Sequence, residues 1–454
     1  MTTATQRLAL FVAATTAVVV TACSSPLPAS SGAPTPAVTT TTILGAKTPA
    51  LTKGADLRAR LITLMVEHAY LLGRVTGEIA AAPPSPTTAT TATTAAPTST
   101  SAPATTTAPV PVGTLTSSAA ALDNNSHDLA DVISAPYSAD FSGRFYELWT
   151  KRISAIEAYA RAKASGDGAA QNQATTLLAT DAADLATLFH ASNKFIEVHT
   201  VSSPGTGLRD ELEPDNTAMT DLVNAQVAKD PAAIAKQVAA AERMPHTATY
   251  LAAAAAKLSA DQAGQGSPGD YPGTVTGTAA NLRASVTSAL VEHVELASIA
   301  LEQVANGKDA GPAEAALGSN AQQLANVFSA VYSDQDAATF LGQWRAHDGS
   351  YVDYAAAKAD SDASKTAAAS AKLDDFSTAV GNFLSQVTKG GLNASTATSD
   401  FRAQVESILA VVDAAAGHSG DEVALIRTAA SHTTGTGALI SEAIAEQFPA
   451  KYLP

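Results

Sequence analysis

Apolar residues recur every three or four positions along several segments of the chain, the spacing expected for one face of an α-helix. One segment carries the stripe Leu57, Leu61, Leu64, His68, Leu71, Val75 and Ile79. A later segment carries the stripe Leu282, Val286, Ala289, His293, Leu296, Ala300 and Val304. The pattern predicts two long amphipathic helices, each with a Val-Glu-His step in the middle of its apolar stripe.

These two helices begin a longer internal repeat. The segment LRARLITLMVEH (57–68) aligns with LRASVTSALVEH (282–293) at an offset of 225 residues. Further along, the offset becomes 195 and pairs Trp149 with Trp344 without gaps on either side. Near the end of each copy the offset becomes about 186 and pairs His246 with His432. We therefore expect two homologous halves of four or five main helices each.

Segments without this periodicity mark the boundaries of the halves. Residues 83–113 are rich in Thr and Pro, and the drop in offset makes them an insertion between the first two helices of the first half. Residues 263–281 contain a cluster of Gly and Pro and predict a linker. The expected fold is all-α: two tandem up-and-down four-helix bundles at residues 51–262 and 282–454. Ferritin-like proteins share this architecture, but their Glu-x-x-His step is absent from the chain.

Composition supports a helical fold and limits the partners. Hydrophobic residues make up 46% of the chain but aromatic residues only 5%, because much of the apolar share is Ala, the strongest helix former. The 27 basic and 42 acidic residues give a net charge of −15. With this charge and no basic block, we expect no nucleic-acid partner, because phosphate groups would be repelled.

The N-terminus has the organisation of an export signal. Arg7 precedes an apolar run at residues 8–20, and the step VTAC follows and ends at Cys23, the single cysteine of the chain. This step resembles the lipobox of bacterial lipoproteins, although Val20 stands where Leu is usual and Thr21 where Ala or Ser is usual. The resemblance implies removal of residues 1–22, acylation of Cys23 by fatty acids such as palmitate, and anchoring at the extracytoplasmic face of the cell membrane. An ordinary secretory signal with a chance cysteine is the alternative.

Two further features bear on this placement. Residues 23–50 are rich in Ser, Thr and Pro and read as a flexible tether. The tract at 83–113 resembles the O-glycosylated spacers of actinobacterial envelope proteins, and a bare flexible loop is the alternative. No segment after the leader is expected to be apolar enough to span a membrane.

Three of the nine histidines suggest a metal site in the second half. His293, His347 and His432 each fall on the apolar stripe of a different predicted helix, and Glu292 adjoins the first of them. Helical bundles build metal sites from inward-facing residues of this kind, and imidazole nitrogens suit zinc, copper or iron. In the first half His68, His246 and Glu67 remain, but Arg152 stands where His347 would be. Arginine cannot bind a cation, so the first half is expected to be a degenerate copy.

These residues leave two principal interpretations open. One is a binding protein whose second half holds a metal ion. The other is a structural or protein-interaction protein in which the histidines belong to hydrogen-bond networks of the core. An oxidoreductase that uses a bound metal is the least favoured class, because no redox-type ligand motif stands out. The chain also contains neither a Gly-x-Ser-x-Gly elbow nor a Gly-Lys-Ser/Thr phosphate loop.

Overall fold

The computed structural model describes residues 49–82, 116–195, 207–264 and 269–452, and within these ranges the chain is helical with no β-strand. The all-α prediction is confirmed. The predicted leader, Cys23 and nearly all of the tether lie outside the described residues, as does the Thr/Pro insertion.

The first half contains seven α-helices among its described residues. They are α1 (Lys53–Ala81), α2 (Ser117–Ser134), α3 (Ala139–Ser165), α4 (Gly168–Ser192), α5 (Leu208–Ala228), α6 (Ala233–Ala241) and α7 (Met244–Gln262).

The second half begins with α8 and also contains seven helices. They are α8 (Thr278–Ala305), α9 (Gly311–Ser329), α10 (Asp334–Ala359), α11 (Ala363–Val387), α12 (Ala394–Ala416), α13 (Glu422–Gln447) and the short α14 (Pro449–Tyr452). This is more than the four or five main helices expected for each half. Two helices not separately predicted, α11 and α12, are rich in Ala, which favours helix without marking an apolar stripe.

Helix α10 carries part of the site described below, and its start is fixed by local sequence. Ser333 accepts a hydrogen bond from the Asp336 backbone N–H, and the Asp336 carboxylate accepts one from the Ser333 N–H. This reciprocal pair satisfies two N–H groups that the first helical turn leaves free. In the first half, the corresponding helix α3 begins after Ser138 and ends at Gly166, whose φ of 72° suits glycine.

Equivalent contacts join the first two helices of each half. The Asn125 side-chain amide donates to a Glu67 carboxylate oxygen at 2.6 Å. At the offsets of the sequence repeat, the Asn320 amide donates to a Glu292 carboxylate oxygen at 3.1 Å. Each asparagine also donates to a backbone carbonyl one turn before that glutamate. The Glu of each Val-Glu-His step therefore ties its helix to the next one.

The halves contact each other through α1 and α8 in a reciprocal way. The Arg58 guanidinium donates to the carbonyl of Val275 at 3.0 Å, and the Arg283 guanidinium donates to the carbonyl of Ala50 at 3.0 Å. These residues are equivalent at an offset of 225, so each half gives the other the same contact, as in a two-fold symmetric interface. The described residues of both halves accordingly belong to one compact unit.

Helix α8 is long and contains an extended apolar stretch. By length and composition it could cross a membrane, contrary to the expectation from sequence, but 83% of its most apolar window is buried inside the protein. Neighbouring helices cover α8, since it packs against α1 of the first half and against α9, α10 and α13 of the second half. Its apolar character is therefore that of a core helix.

Candidate metal centre

Two of the predicted ligands meet in the second half. His293 on α8 and His347 on α10 have ring centroids 5.2 Å apart, and both side chains are buried. Asp348 joins them: its Oδ1 lies 3.3 Å from His347 Nδ1 and 3.8 Å from His293 Nε2. Among the described residues this is the one group of three His, Cys, Asp or Glu side chains in which one potential ligand atom from each lies within 4.8 Å of the others.

The spacing of these atoms approaches that of a metal site. Zinc–nitrogen and zinc–oxygen bonds of about 2.0–2.1 Å in tetrahedral geometry place ligand atoms roughly 3.3 Å apart. The two distances from Asp348 are close to this value, but His347 Nδ1 already lies 2.6 Å from the Trp344 carbonyl oxygen. A metal ion would therefore have to bind Nε2 of His347, and the side chains would have to move to bring the three ligand atoms together. Two imidazoles and one carboxylate also form a ligand set that zinc and iron use with a further position left open.

Several buried polar atoms at this place have no hydrogen-bond partner among the described residues. They are His293 Nε2, both carboxylate oxygens of Asp348 and the hydroxyl of Tyr351. Burial raises the pKa of Asp348 well above its usual range, and burial together with Asp348 raises the pKa of Tyr351. Buried polar groups in native proteins are almost always paired, so these atoms indicate a bound ion or water.

Trp344 contacts both histidines and determines which nitrogen of each carries the proton. Its indole N–H donates to His293 Nδ1 at 3.3 Å, so the proton of neutral His293 is on Nε2. Its backbone carbonyl lies 2.6 Å from His347 Nδ1 and can only accept, so that nitrogen carries the proton of His347. The nitrogens measured closest to Asp348 are therefore both N–H groups when no ion is bound.

Both rings are held in the neutral form. Burial, with a contribution from His347, lowers the pKa of His293 well below its usual range. Burial also lowers the pKa of His347 to about 3, against the opposing effect of the Trp344 carbonyl. Neutral imidazole is the form that binds metals, so neither ring first has to be converted from the cationic to the neutral form.

A surface cleft of about 560 Å³ reaches the site at His347. The His347 ring stacks on Phe376 at 4.0 Å, and both residues line the cleft. Polar residues complete the wall, namely Gln343, Ser350, Asp353, Lys372 and Asp375. Of the three candidate ligands, His347 lines this cleft, whereas His293 and Asp348 lie behind it and do not.

The other two predicted ligands of the second half lie elsewhere. His432 Nε2 is 3.3 Å from Asp400 Oδ1, and this hydrogen-bonded carboxylate raises the pKa of His432. Glu292 binds Asn320, and burial raises its pKa to about 7. Neighbouring helical residues point about 100° apart, which is why Glu292 faces α9 while His293 faces α10.

The first half does not reproduce the cluster. His68 contacts Trp149 with ring centroids 4.8 Å apart, as His293 contacts Trp344, but Arg152 and Ile153 stand where His347 and Asp348 are. Glu67 binds Asn125 and forms an ion pair with Arg427 at 3.1 Å, rather than with Arg152. His246 is exposed on α7. At the two positions equivalent to His347 and Asp348, the first half therefore has no metal-binding side chain beside His68.

The pairing of His246 with His432 is wrong in structural terms. Arg243 and Thr247 hold Asp215 at 2.9 and 2.8 Å. His432 and Thr436 hold Asp400 in the same way, so the counterpart of His432 is Arg243, at an offset of 189. The sequence comparison aligned two histidines that lie on different faces of their helices.

Asp348 is the site residue that sequence reasoning missed. It directly follows His347, and at the repeat offset both are replaced together by Arg152 and Ile153. That joint replacement was the available signal for Asp348, because two residues that bind the same ion are expected to be replaced together when the ion is no longer bound.

Comparisons with protein-family models, curated proteins and solved structures find no match to this chain. Its function is therefore inferred from its own residues and geometry.

Proposed function

We propose that this chain is a lipid-anchored, extracytoplasmic binding protein that holds one transition-metal ion through His293, His347 and Asp348. The observation that carries the proposal is the convergence of two neutral imidazoles and one carboxylate, in which His293 Nε2 and both Asp348 carboxylate oxygens lack hydrogen-bond partners among the described residues. A bound cation satisfies these atoms and compensates the cost of burying the Asp348 carboxylate.

The donor atoms define the class of metal. Imidazole nitrogen with carboxylate oxygen suits zinc, iron or copper, whereas calcium and magnesium prefer sites built from oxygen alone. The one cysteine, Cys23, lies in the lipobox-like step, so a thiolate site for softer ions is not proposed.

The proposed role is binding rather than catalysis. His293, His347 and Asp348 are 0%, 3% and 8% exposed. An ion can reach His347 from the neighbouring cleft, but a substrate would have little contact with a metal buried to this degree. A metal ion as the bound cargo or as a stabilising ligand fits this enclosure better than a reacting centre.

The placement of the protein rests on its N-terminus. We propose that Cys23 is acylated and that residues 23–50 tether the helical unit to the outer surface of the cell membrane. The membrane is then its one proposed partner, and the net charge of −15 argues against nucleic acid. Labelling of cells with a palmitate analogue tests this: label should enter the chain and be lost in Cys23→Ala.

Metal-dependent stability of the full chain tests the binding function. Zinc, copper or iron that binds only the folded state should raise the melting temperature by mass action. Asp348→Asn removes a charged ligand at constant shape and should abolish that rise. His432→Ala is the matched control, since His432 lies outside the cluster, and should retain it. An equal response in wild type and Asp348→Asn would overturn the proposal.

A structural role is the second candidate, and the contacts of Trp344 favour it. Its indole and its carbonyl give one nitrogen of each histidine a partner without any metal. In that case metal ions leave the melting curve unchanged, and Asp348→Asn makes the protein more stable because it removes an unpaired buried carboxylate.

A further inference from the structure

The first half contains a second cluster at the position equivalent to the metal centre. There Arg152 replaces His347, and its guanidinium carbon lies 4.9 Å from the centroid of the Trp149 ring. Arg152 is 1% exposed and Trp149 is 2% exposed. A wholly buried guanidinium is uncommon in proteins, and such a group is expected to have a partner for its charge.

Most of the hydrogen-bond donors of this cluster are free among the described residues. Arg152 Nε donates to the Asn216 side-chain oxygen at 2.7 Å. Its two terminal nitrogens, Nη1 and Nη2, have no partner, and neither has the indole N–H of Trp149. Every one of these atoms can donate and none can accept, so a group that accepts hydrogen bonds is missing.

No neighbouring carboxylate supplies that acceptor, and the two ring nitrogens of His68 have no hydrogen-bond partner among the described residues either. The Asp215 carboxylate is occupied by Arg243 and Thr247, at 2.9 and 2.8 Å. The negative charges of Asp215 and Asp181 act on Arg152 only by electrostatic attraction. They favour the charged guanidinium, whereas burial lowers its pKa. His68 faces the side chain of Asn125, and burial with the charge of Arg152 lowers the pKa of His68 to about 3. The imidazole therefore stays neutral and adds no second charge.

We propose that the first half binds a small inorganic anion of halide size between the Arg152 guanidinium and the Trp149 indole N–H. The anion accepts the free N–H groups and compensates the buried charge. Because Arg152, Trp149 and His68 are at most 2% exposed, an anion reaches them only when the surrounding side chains move, and the enclosure favours a small monatomic anion over a larger one.

The two halves then bind ions of opposite sign at one equivalent position. In the second half, His347 and Asp348 present acceptor atoms to a cation. In the first half, Arg152 presents hydrogen-bond donors to an anion, and Ile153 presents an apolar side chain. This anion site does not depend on the metal site, because the two clusters share no residue.

Thermal unfolding of the full chain in different sodium salts tests the site. At equal ionic strength, bromide should raise the melting temperature of the wild type by a few degrees relative to gluconate, which is too large to enter. Arg152→Met keeps an unbranched, flexible stem, removes all donors and should lose this difference. The control is Arg144→Met, an exposed arginine on the same helix, which should keep it. Equal bromide effects in wild type and Arg152→Met would overturn the proposal.

Diffraction from wild-type crystals grown in bromide provides a test that needs no variant. The expected result is an anomalous bromide peak within hydrogen-bonding distance of Arg152 Nη and Trp149 Nε1. Only water at this place, or no peak, would refute the anion site even if Arg152→Met fails to fold. Neither result bears on metal binding in the second half.

Discussion

Among single residues, Trp344 contacts both histidines of the proposed metal centre. Its indole holds the proton of His293 on Nε2, and its carbonyl holds the proton of His347 on Nδ1. In established metal sites the second nitrogen of a histidine usually donates to an oxygen, which frees the first nitrogen for the metal. His347 has such a partner, but the Trp344 indole opposes the same arrangement for His293.

Removal of that indole should therefore strengthen metal binding. In Trp344→Phe, Nδ1 of His293 is free to take the proton and Nε2 becomes available to the metal. The loss of one opposing hydrogen bond of about 1 kcal/mol corresponds to an increase in affinity of about five-fold. Zinc titration calorimetry measures it, with Trp149→Phe in the first half as the control. Weaker or unchanged binding in a folded Trp344→Phe protein would contradict this role.

Residue identities allowed part of the site to be predicted. His293 and His347 could be chosen because each lies on an apolar stripe, which predicts burial. His432 lies on such a stripe as well, but whether three helices bring their residues to one level depends on helix offsets that periodicity does not encode. Its actual partner, Asp400, lies on α12, a helix that the apolar pattern did not separate from its neighbours.

Among helices, α3 and α10 form an informative pair. They align without gaps and place Trp149 and Trp344 in similar contacts with a histidine of the first helix of each half. The chemical difference between the two clusters then comes mainly from two adjacent positions. These two contacts match the pairing of Trp149 with Trp344 that the sequence repeat predicts, because a long gapless alignment preserves which face of a helix each residue occupies.

Exchange of these two positions should transfer the metal site. Arg152→His together with Ile153→Asp gives α3 the residues of α10, so we expect about two bound metal ions per chain instead of one. Elemental analysis of the purified protein measures the ratio. The single change Arg152→His lacks the carboxylate and is the matched control, with an expected ratio near one. A ratio of one in the folded double variant would show that the helix pair alone does not define the site.

At the scale of the whole molecule, charged groups cross the boundary between the halves. Arg74 on α1 binds Glu302 on α8 through both terminal nitrogens, at 2.6 and 2.9 Å. Glu422 on α13 lies 4.0 Å from the same guanidinium. Burial, and a hydrogen bond with Glu302, raise the pKa of Glu422 to about 8. One arginine of the first half is therefore shared by two acids of the second, and the proton on Glu422 limits their repulsion.

This arrangement predicts a fall in stability as pH rises. The folded chain keeps a proton on Glu422 that the unfolded chain loses near the usual carboxyl range of about 4.3. The contribution of Glu422 to stability is therefore greatest below that range and decreases as pH rises to about 8. Glu422→Gln should flatten the fall in melting temperature over this interval. Glu446→Gln, at an exposed site, should leave it unchanged. Parallel pH profiles for wild type and Glu422→Gln would contradict the assignment.

The most direct test of the account is zinc anomalous diffraction from crystals of the full chain grown with zinc. The account predicts one strong peak in the second half, with His293, His347 and Asp348 each at about 2.0–2.2 Å from the ion. No equivalent peak should appear beside Arg152. Absence of a peak at the cluster, or zinc bound instead between His432 and Asp400, would contradict the central claim.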